Sequence, residues 1–325
     1  MARLKSTTTQ NGDKIFNEKE ACRRPWIVGE SKWVLAAGTI LFLSWKFNEV
    51  REFAFRLPVS DLVDTAVDWM VINLAPVFEL IKIVTAFFLN NFEQFMLWLP
   101  WWAVLMLSFL IALRLSGKKA AITCGTGLAL IFLLGLWDLS MATLALTATA
   151  VLLSNLIGIP LGILSAKSNR IEKLLRPLMD LMQTMPAFVY LIPALMFFGI
   201  GRVPGVMACV VYGLPPAVRL TNLGIRQVPA DIVEAARSFG TTEMQLLIKI
   251  QLPLALPSIM AGVNQTIMLS LGMVVLAAMI AAGGLGKEVL LALGQVEIGR
   301  GFVAGISIVI LAIILDRITQ SMTAK

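Results

Sequence analysis

Glu234-Ala235-Ala236, then Gly240 after three residues, then Ile250-Gln251-Leu252-Pro253 after nine more, are the residues whose types and spacing carry the clearest chemistry in this chain. That chemistry is docking, not bond-making. The segment holds a carboxylate, two small residues, a glycine able to turn the backbone, and an apolar turn ending in proline. It is polar, yet long apolar runs enclose it on both sides. Asp231 followed by Glu234 fits a capping box and predicts a helix beginning just after Asp231. Gly240 is placed to end that helix, because glycine takes the left-handed C′ conformation without penalty. Thr242 followed by Gln245 fits a second capping box. The helix it opens would carry Met244, Leu247, Ile248 and Gln251 on one face, and Leu252-Pro253 would stop it. Two short helices joined at a glycine make a rigid knob that can seat in a groove of a partner. The two-helix pattern alone would also suit an ordinary surface hairpin or a nucleic-acid-binding helix-turn-helix. Its setting between membrane spans favours the knob.

Other polar groups sit at or inside apolar runs. Asp180, Gln183, Thr184, Pro186 and Tyr190 lie where a polar helix becomes a span. Pro186 and Pro193 would loosen that span and free backbone carbonyls, which is tolerated where they face protein or a cavity. The readings are a gate or pathway lining, or a structural kink. Asn264-Gln265-Thr266 interrupts an apolar span. Amides there hydrogen-bond between helices or mark a solute path. Trp98, Trp101 and Trp102 fit an aromatic belt better than a cage for a quaternary ammonium group. Gly158-x-x-x-Gly162 and Gly301-x-x-x-Gly305 permit close helix contact. The Gly283-Gly284-Leu285-Gly286 text followed by Lys287 is no phosphate loop: position 281 is alanine where the first glycine should stand, and Glu288 replaces the Ser/Thr.

The elements that must position these residues are membrane helices. Of the 325 residues, 58% are hydrophobic and only 14% charged, against about 25% charged in a soluble domain. There is no histidine, so the usual metal ligand and general base are missing. Cys22, Cys124 and Cys209 stand far apart and support neither a zinc site nor a redox motif. No paired carboxylates or nucleophile elbow suggest an enzyme. No ionisable group interrupts 140–165, 186–200 or 258–282, which disfavours an ion-coupled transporter. Apolar runs at about 33–46, 93–113, 120–137, 140–165, 186–200, 203–218, 258–282 and 301–316 predict an all-α polytopic bundle of about eight spans. The 47–92 segment has two readings: an amphipathic helix on the outer surface, or a segment hiding a further span at 71–90, against which Glu79 and Lys82 argue. With the N-terminus inside, the basic clusters at 114–119, 167–176, 219–249 and 317–325 all fall in the cytoplasm, so both termini and the Glu234 knob do too. The formal charge of +7 is read as this asymmetry and not as a nucleic-acid surface. The chain divides into a basic cytoplasmic tail (1–32), scaffold spans with the outer amphipathic segment (33–137) and a core (138–318).

The spacing of Glu234, Ala235, Ala236, Gly240, Ile250, Leu252 and Pro253 matches every fixed position of the EAA-loop signature, and so resembles permease subunits of binding-protein-dependent ABC importers. Asp180-Leu-Met-Gln-Thr-Met-Pro-Ala-Phe-Val-Tyr190, Val228 to Gly240, Leu252 to Pro257, Ala261 to Thr266 and Ile310 to Arg317 are similar to the glycine betaine/proline betaine (ProU-type) permeases of that class. The resemblance runs from about Asp180 to Arg317, and more loosely from Asp61; residues 1–60 give none. It implies a type I importer permease fold in a bacterial inner membrane. It implies a loop that docks on a separate ATPase, two copies of which bind ATP and magnesium. It also implies a second copy of this chain and a periplasmic or extracellular substrate-binding protein. No cofactor in this chain is expected. Gln183, Thr184, Pro186, Tyr190, Asn264 and Gln265 are the expected gate or pathway residues. The expected cargo is a quaternary-ammonium osmoprotectant such as glycine betaine, proline betaine or a choline-like solute, moved by alternating access.

Overall fold

The computed structural model describes residues 35, 37–44 and 59–323. The basic tail 1–32 and Cys22 lie outside the described residues, as do both ends of the 33–46 run. The chain separates into two units, residues 1–66 and 67–325. In the first, residues 37–44 are helical and exposed.

The helices are α1 (Val59–Asn73), α2 (Ala75–Trp98), α3 (Trp101–Ser116), α4 (Lys118–Leu133), α5 (Trp137–Lys167), α6 (Asn169–Thr184), α7 (Leu191–Phe198), α8 (Arg202–Arg226), α9 (Ala230–Ser238), α10 (Glu243–Leu246), α11 (Leu252–Ala277), α12 (Gly284–Gln295) and α13 (Ile298–Thr323). A 3₁₀ turn at Ala187–Tyr190 precedes α7, and a π-helical turn at Leu247–Gln251 joins α10 to α11. No strand occurs among the described residues.

Among the described residues, five helices are long and apolar enough to cross a membrane: α2, α5, α8, the continuous Glu243–Ile280 rod and α13. A sixth crossing is possible if the pair α6 plus Ala187–Phe198, bent by 110°, counts as one broken span. These five or six candidate spans stand beside the eight apolar runs of the sequence, one of which, 33–46, is described only in part. The 93–113 run is not one helix, because Leu99-Pro100 breaks it between α2 and α3. The 47–92 segment resolves into two helices. Acidic α1 suits the surface reading, but α2 is one of the five candidate spans. Glu79 and Lys82, expected to bar a span there, stand one turn apart and pair at 3.7 Å. Two opposite charges so placed offset each other, and long side chains can reach toward the interface.

Helix α8 is the centre of the second unit. It packs along α5 on one side and along α11 on the other. Small residues set both seams. A Cβ added at Gly158 would stand 2.7 Å from Ala217 Cβ, and one at Gly162 would stand 2.6 Å from Thr221 Cβ. On the opposite seam, a Cβ at Gly224 would stand 2.7 Å from Ser258 Cβ. Hydroxyls then bind across the narrow gaps. Ser154 Oγ donates to the Val210 carbonyl at 3.0 Å, and Thr266 Oγ1 to the Gly213 carbonyl at 3.0 Å. Apolar solvent gives helices no hydrophobic drive to associate, so close backbone packing and such bonds must hold them. The 158/162 glycine pair thus packs as expected. At the 301/305 pair, a Cβ at Gly301 would stand 3.3 Å from Ala292 Cβ of α12, whereas nothing lies within 4 Å of one at Gly305.

A second cluster joins α3, α4, α12 and α13 through Ala112, Cys124, Leu128, Ile131, Leu285 and Leu311. The glycine-rich turn before α12 serves packing. The Leu285 N–H donates to Thr143 Oγ1 at 2.8 Å, and a Cβ at Gly286 would stand 2.5 Å from the Val274 carbonyl oxygen. Trp101 stacks on Phe132 with centroids 4.5 Å apart, and Phe132 meets Trp137 edge-on. Trp98, Trp101 and Trp102 remain exposed. Aromatics gathered at helix ends agree with the belt reading.

Candidate functional site

Two helix pairs meet at one end of the α5–α8–α11 bundle. The first is the Glu234 knob. Helix α9 begins at Ala230 with Pro229 as its N-cap residue and no side-chain cap. The Asp231–Glu234 capping box is therefore corrected: proline pre-set for the helix start moves the boundary upstream, so Asp231 lies inside the first turn. There its carboxylate complements the positive helix end without capping it. Gly240 sits at φ +78°. Its N–H donates to the Arg237 carbonyl at 2.9 Å, and the Thr241 N–H donates to the Ala236 carbonyl at 3.3 Å. These two bonds make a Schellman motif, which satisfies carbonyls that the helix end would otherwise leave open. Thr242 then opens α10 through a complete capping box: Gln245 N–H donates to Thr242 Oγ1 at 3.3 Å, and Thr242 N–H to Gln245 Oε1 at 3.0 Å. Arg237 and Glu243 pair at 3.0 Å across the joint.

Leu252-Pro253 does not stop the second helix. The backbone widens into the π turn, with Leu252 N–H donating to the Leu247 carbonyl, and continues as α11. A proline clashes with the carbonyl four residues before it, and the wider turn relieves this. Ile250, Leu252 and Pro253 are thus part of a continuous rod from knob to span. The stripe expected from Met244, Leu247, Ile248 and Gln251 also divides. Leu246 and Leu247 are buried, and Leu247 packs with Ile225, Ala255 and Ile259 at the bundle's end. Met244 and Ile248 face outward at 59% and 55% exposure, and Phe239 stands at the joint 89% exposed. Ala236 is buried, whereas Glu234 and Ala235 are on the outer face.

The second pair is α6 and α7. Helix α6 ends at Met185-Pro186, both extended, and the chain turns through 110°. Gln183, Thr184 and Pro186 are exposed at this bend, and Tyr190 is buried beyond it. The Tyr190 hydroxyl donates back to the Met182 carbonyl, and its ring lies 6.0 Å from that of Tyr212 on α8. The 3₁₀ turn touches both α8 and α11. The four residues Gln183, Thr184, Pro186 and Tyr190 are therefore brought together around one break. Asn264 belongs elsewhere. Its amide donates to Asp316 at 2.8 Å and its carbonyl accepts from Thr319 at 2.9 Å, fastening α11 to α13. Its neighbour Gln265 is exposed.

Ion pairs not anticipated from sequence tie the bent pair to α8. Asp180 pairs with Arg219. Glu172 pairs with Arg226 at 3.1 Å, and Arg226 also donates to the Ser165 carbonyl and to Asn169, each at 2.9 Å. Arg202, at the other end of α8, pairs with Glu93 of α2. The partners are far apart in sequence, so no local spacing signals them. At the knob end the ion pairs border an open cavity of about 400 Å³, lined by Glu172, Arg176, Asp180, Arg219 and Arg226 among others. No group of three or more metal-ligating side chains occurs among the described residues. The arrangement offers a rigid, apolar-tipped projection fused to one span, beside a hinged arm latched by charge.

Comparison with known proteins agrees with this geometry. Residues 158–324 match the family model of the binding-protein-dependent transport system inner membrane component. The chain is 50% identical over 277 residues to the glycine betaine/proline betaine transport system permease protein ProW of Escherichia coli K12, covering 85% of this chain and 78% of that one. It is 46% identical over 270 residues to the glycine betaine transport system permease protein OpuAB of Bacillus subtilis 168, covering 83% and 96%. A chain of the MetNI methionine ABC transporter aligns in structure with a TM-score of 0.51 at 22% identity, over 56% of this chain and 91% of that one. The last likeness bears on fold alone. With the knob, the bundle and half the chain matched to one family model, the chain belongs to the binding-protein-dependent transport system inner membrane component family.

Proposed function

We propose that this chain is the permease of an ATP-driven importer for quaternary-ammonium osmoprotectants of the glycine betaine, proline betaine or choline-like kind. The observation that carries the coupling role is the knob's construction. A doubly capped joint presents Phe239, Met244 and Ile248 to a partner, and its second helix runs unbroken into α11. Force applied at the tip must therefore move a span. The cargo rests on the relatives' names, since half of the residues are shared with a betaine permease over most of both chains.

Two copies of the chain face each other across the pathway, because one copy supplies one knob and ATP-driven closure engages two sites. A separate ATPase, present twice, holds the ATP and magnesium; this chain holds no cofactor and makes or breaks no bond. A soluble binding protein delivers solute at the outer face. The knob, α6 and both termini face the cytoplasm. Lys167, Arg170, Lys173, Arg176, Arg219, Arg226, Arg237 and Lys249 all belong to the elements at the knob end, which is the distribution expected of a cytoplasmic face. Residues 138–318 form the transport core, and 33–137 a scaffold around it. Glu234, Ala235, Ala236, Gly240, Ile250, Leu252 and Pro253 couple the ATPase. Gln183, Thr184, Pro186 and Tyr190 form the gate. Gln265 lines the path beside it, and Asn264 holds α11 against α13.

Reconstitution in vesicles with the ATPase and binding protein tests the reading. Glycine betaine uptake that requires ATP and both partners is expected. Uptake by this chain alone, driven by an ion gradient, would contradict it. Selectivity resides mainly in the binding protein, so Trp101→Ala and Asn264→Ala should change the uptake rate and leave the order of competing solutes intact. A reordered competition panel would place a selective site in this chain.

A further inference from the structure

Helix α6 has three faces, and only one of them packs toward α8. Leu175 and Met179 turn inward with Glu172, toward α8. Arg170, Lys173 and Arg176 follow one another at three-residue steps and are exposed. Among the described residues no ion pair takes any of them. Leu174, Leu178 and Leu181, at i, i+4 and i+7, form a second outward stripe beside the basic one, exposed by 73%, 48% and 56%. The two carboxylates of α6, Glu172 and Asp180, are engaged by Arg226 and Arg219. The outward basic stripe is left without acidic partners.

The position of α6 is constrained at both ends. One residue, Ser168, separates it from the 31-residue span α5, and two, Met185 and Pro186, separate it from the turn leading into α7. The 110° bend sets it nearly crosswise to α7. A helix so tethered stays close to the Lys167 end of α5, where a membrane-crossing α5 would meet the interface. A leucine stripe flanked by cations, held there, has the pattern of a helix lying in the membrane interface.

We propose that α6 binds anionic phospholipid of the cytoplasmic leaflet. Arg170, Lys173 and Arg176 take the headgroup phosphates, and Leu174, Leu178 and Leu181 enter the acyl region. Arg176 also lines the 400 Å³ cavity, where three guanidinium groups face two carboxylates and leave one positive charge in excess. A headgroup phosphate fits the charge of that mouth. Because α6 also carries Gln183 and Thr184 to the bend, lipid bound there would hold the arm against the membrane. The inference rests on the cytoplasmic placement proposed above.

The test uses the full complex with its ATPase, purified from equal mixtures of phosphatidylglycerol and phosphatidylcholine. Retained lipid is extracted and its composition measured. Wild type should enrich phosphatidylglycerol, and the Arg170→Gln/Lys173→Gln/Arg176→Gln variant should lose about tenfold of that enrichment. Equal enrichment in both would overturn the proposal. Displacement of the lipid by millimolar inorganic phosphate would make this a soluble-anion site and also overturn it. A fluorophore at Leu178→Cys, which keeps the basic stripe, should be quenched by brominated acyl chains. Disulfide formation between that cysteine in two permease copies, without quenching, would assign the leucine stripe to a protein interface and sink the lipid reading. Labelling of Lys173→Cys by an impermeant thiol reagent from outside would fail the cytoplasmic placement itself, an outcome separate from loss of lipid selectivity.

Discussion

The knob and the bent arm are both pairs of short helices at the same end of the bundle, yet they are broken in opposite ways. At the knob, every device at the joint removes freedom. Gly240 supplies the left-handed turn, two backbone bonds close the end of α9, and Thr242 with Gln245 caps α10 from both sides. At the arm, a single side-chain bond, from the Tyr190 hydroxyl to the Met182 carbonyl, bridges the break at Met185-Pro186, and α6 is held to α8 by ion pairs that are partly solvent-exposed. Capped backbone resists bending, while exposed ion pairs are worth only about 0–1 kcal/mol and can exchange with water. A knob that transmits and an arm that yields is the division of labour this contrast teaches.

The comparison can be broken first at the knob's tip. Phe239→Ala removes the most exposed aromatic there without altering any backbone bond. An aromatic anchor of this kind is worth about 2 kcal/mol in an interface, so affinity for the ATPase should fall about thirtyfold in a binding titration. Unchanged affinity would mean that the tip does not dock. Thr242→Ala removes one half of the capping box and should cost about 1 kcal/mol of local stability. Faster hydrogen exchange confined to α9 and α10, with uptake reduced severalfold, is the expected result. The arm should respond least. Asp180→Asn and Arg219→Gln, singly and together, should change uptake by no more than a few fold, with a coupling energy below about 1 kcal/mol given the exposure of both side chains. A larger coupling would make the latch a structural bolt and weaken the contrast.

Much of the knob was legible in the sequence because its devices are local. A Gly240 that must turn, and a Thr242 three residues before a glutamine, announce themselves by spacing. Where neighbouring prolines intervene, spacing misled. Pro229 started α9 before Asp231 could cap it, and the π turn let α11 absorb Pro253 instead of ending on it. The arm was half legible. Pro186 marked the break, but the Glu172–Arg226 and Asp180–Arg219 pairs depend on how α6 crosses α8, which no single-segment pattern encodes. The same limit hid the role of Asn264, whose partners Asp316 and Thr319 lie in the last helix. Helix boundaries moved away from the apolar runs where charges pair along one helix, as Glu79 and Lys82 do in α2, and where Pro100 divides one apolar run between two helices.

The most direct test of a transmitting knob is solute imported per ATP hydrolysed by a Gly240→Val variant in vesicles containing the ATPase and binding protein. A β-branched residue at φ +78° is held in a conformation that costs about 1–2 kcal/mol for any L side chain, and more for a branched one. Nothing lies within 4 Å of the added Cβ, so the disturbance is confined to the joint's backbone. The account predicts a variant that inserts normally and hydrolyses ATP, with solute moved per ATP reduced at least tenfold. Wild-type stoichiometry in that variant would contradict the claim that the geometry at Gly240 carries motion from the ATPase into α11.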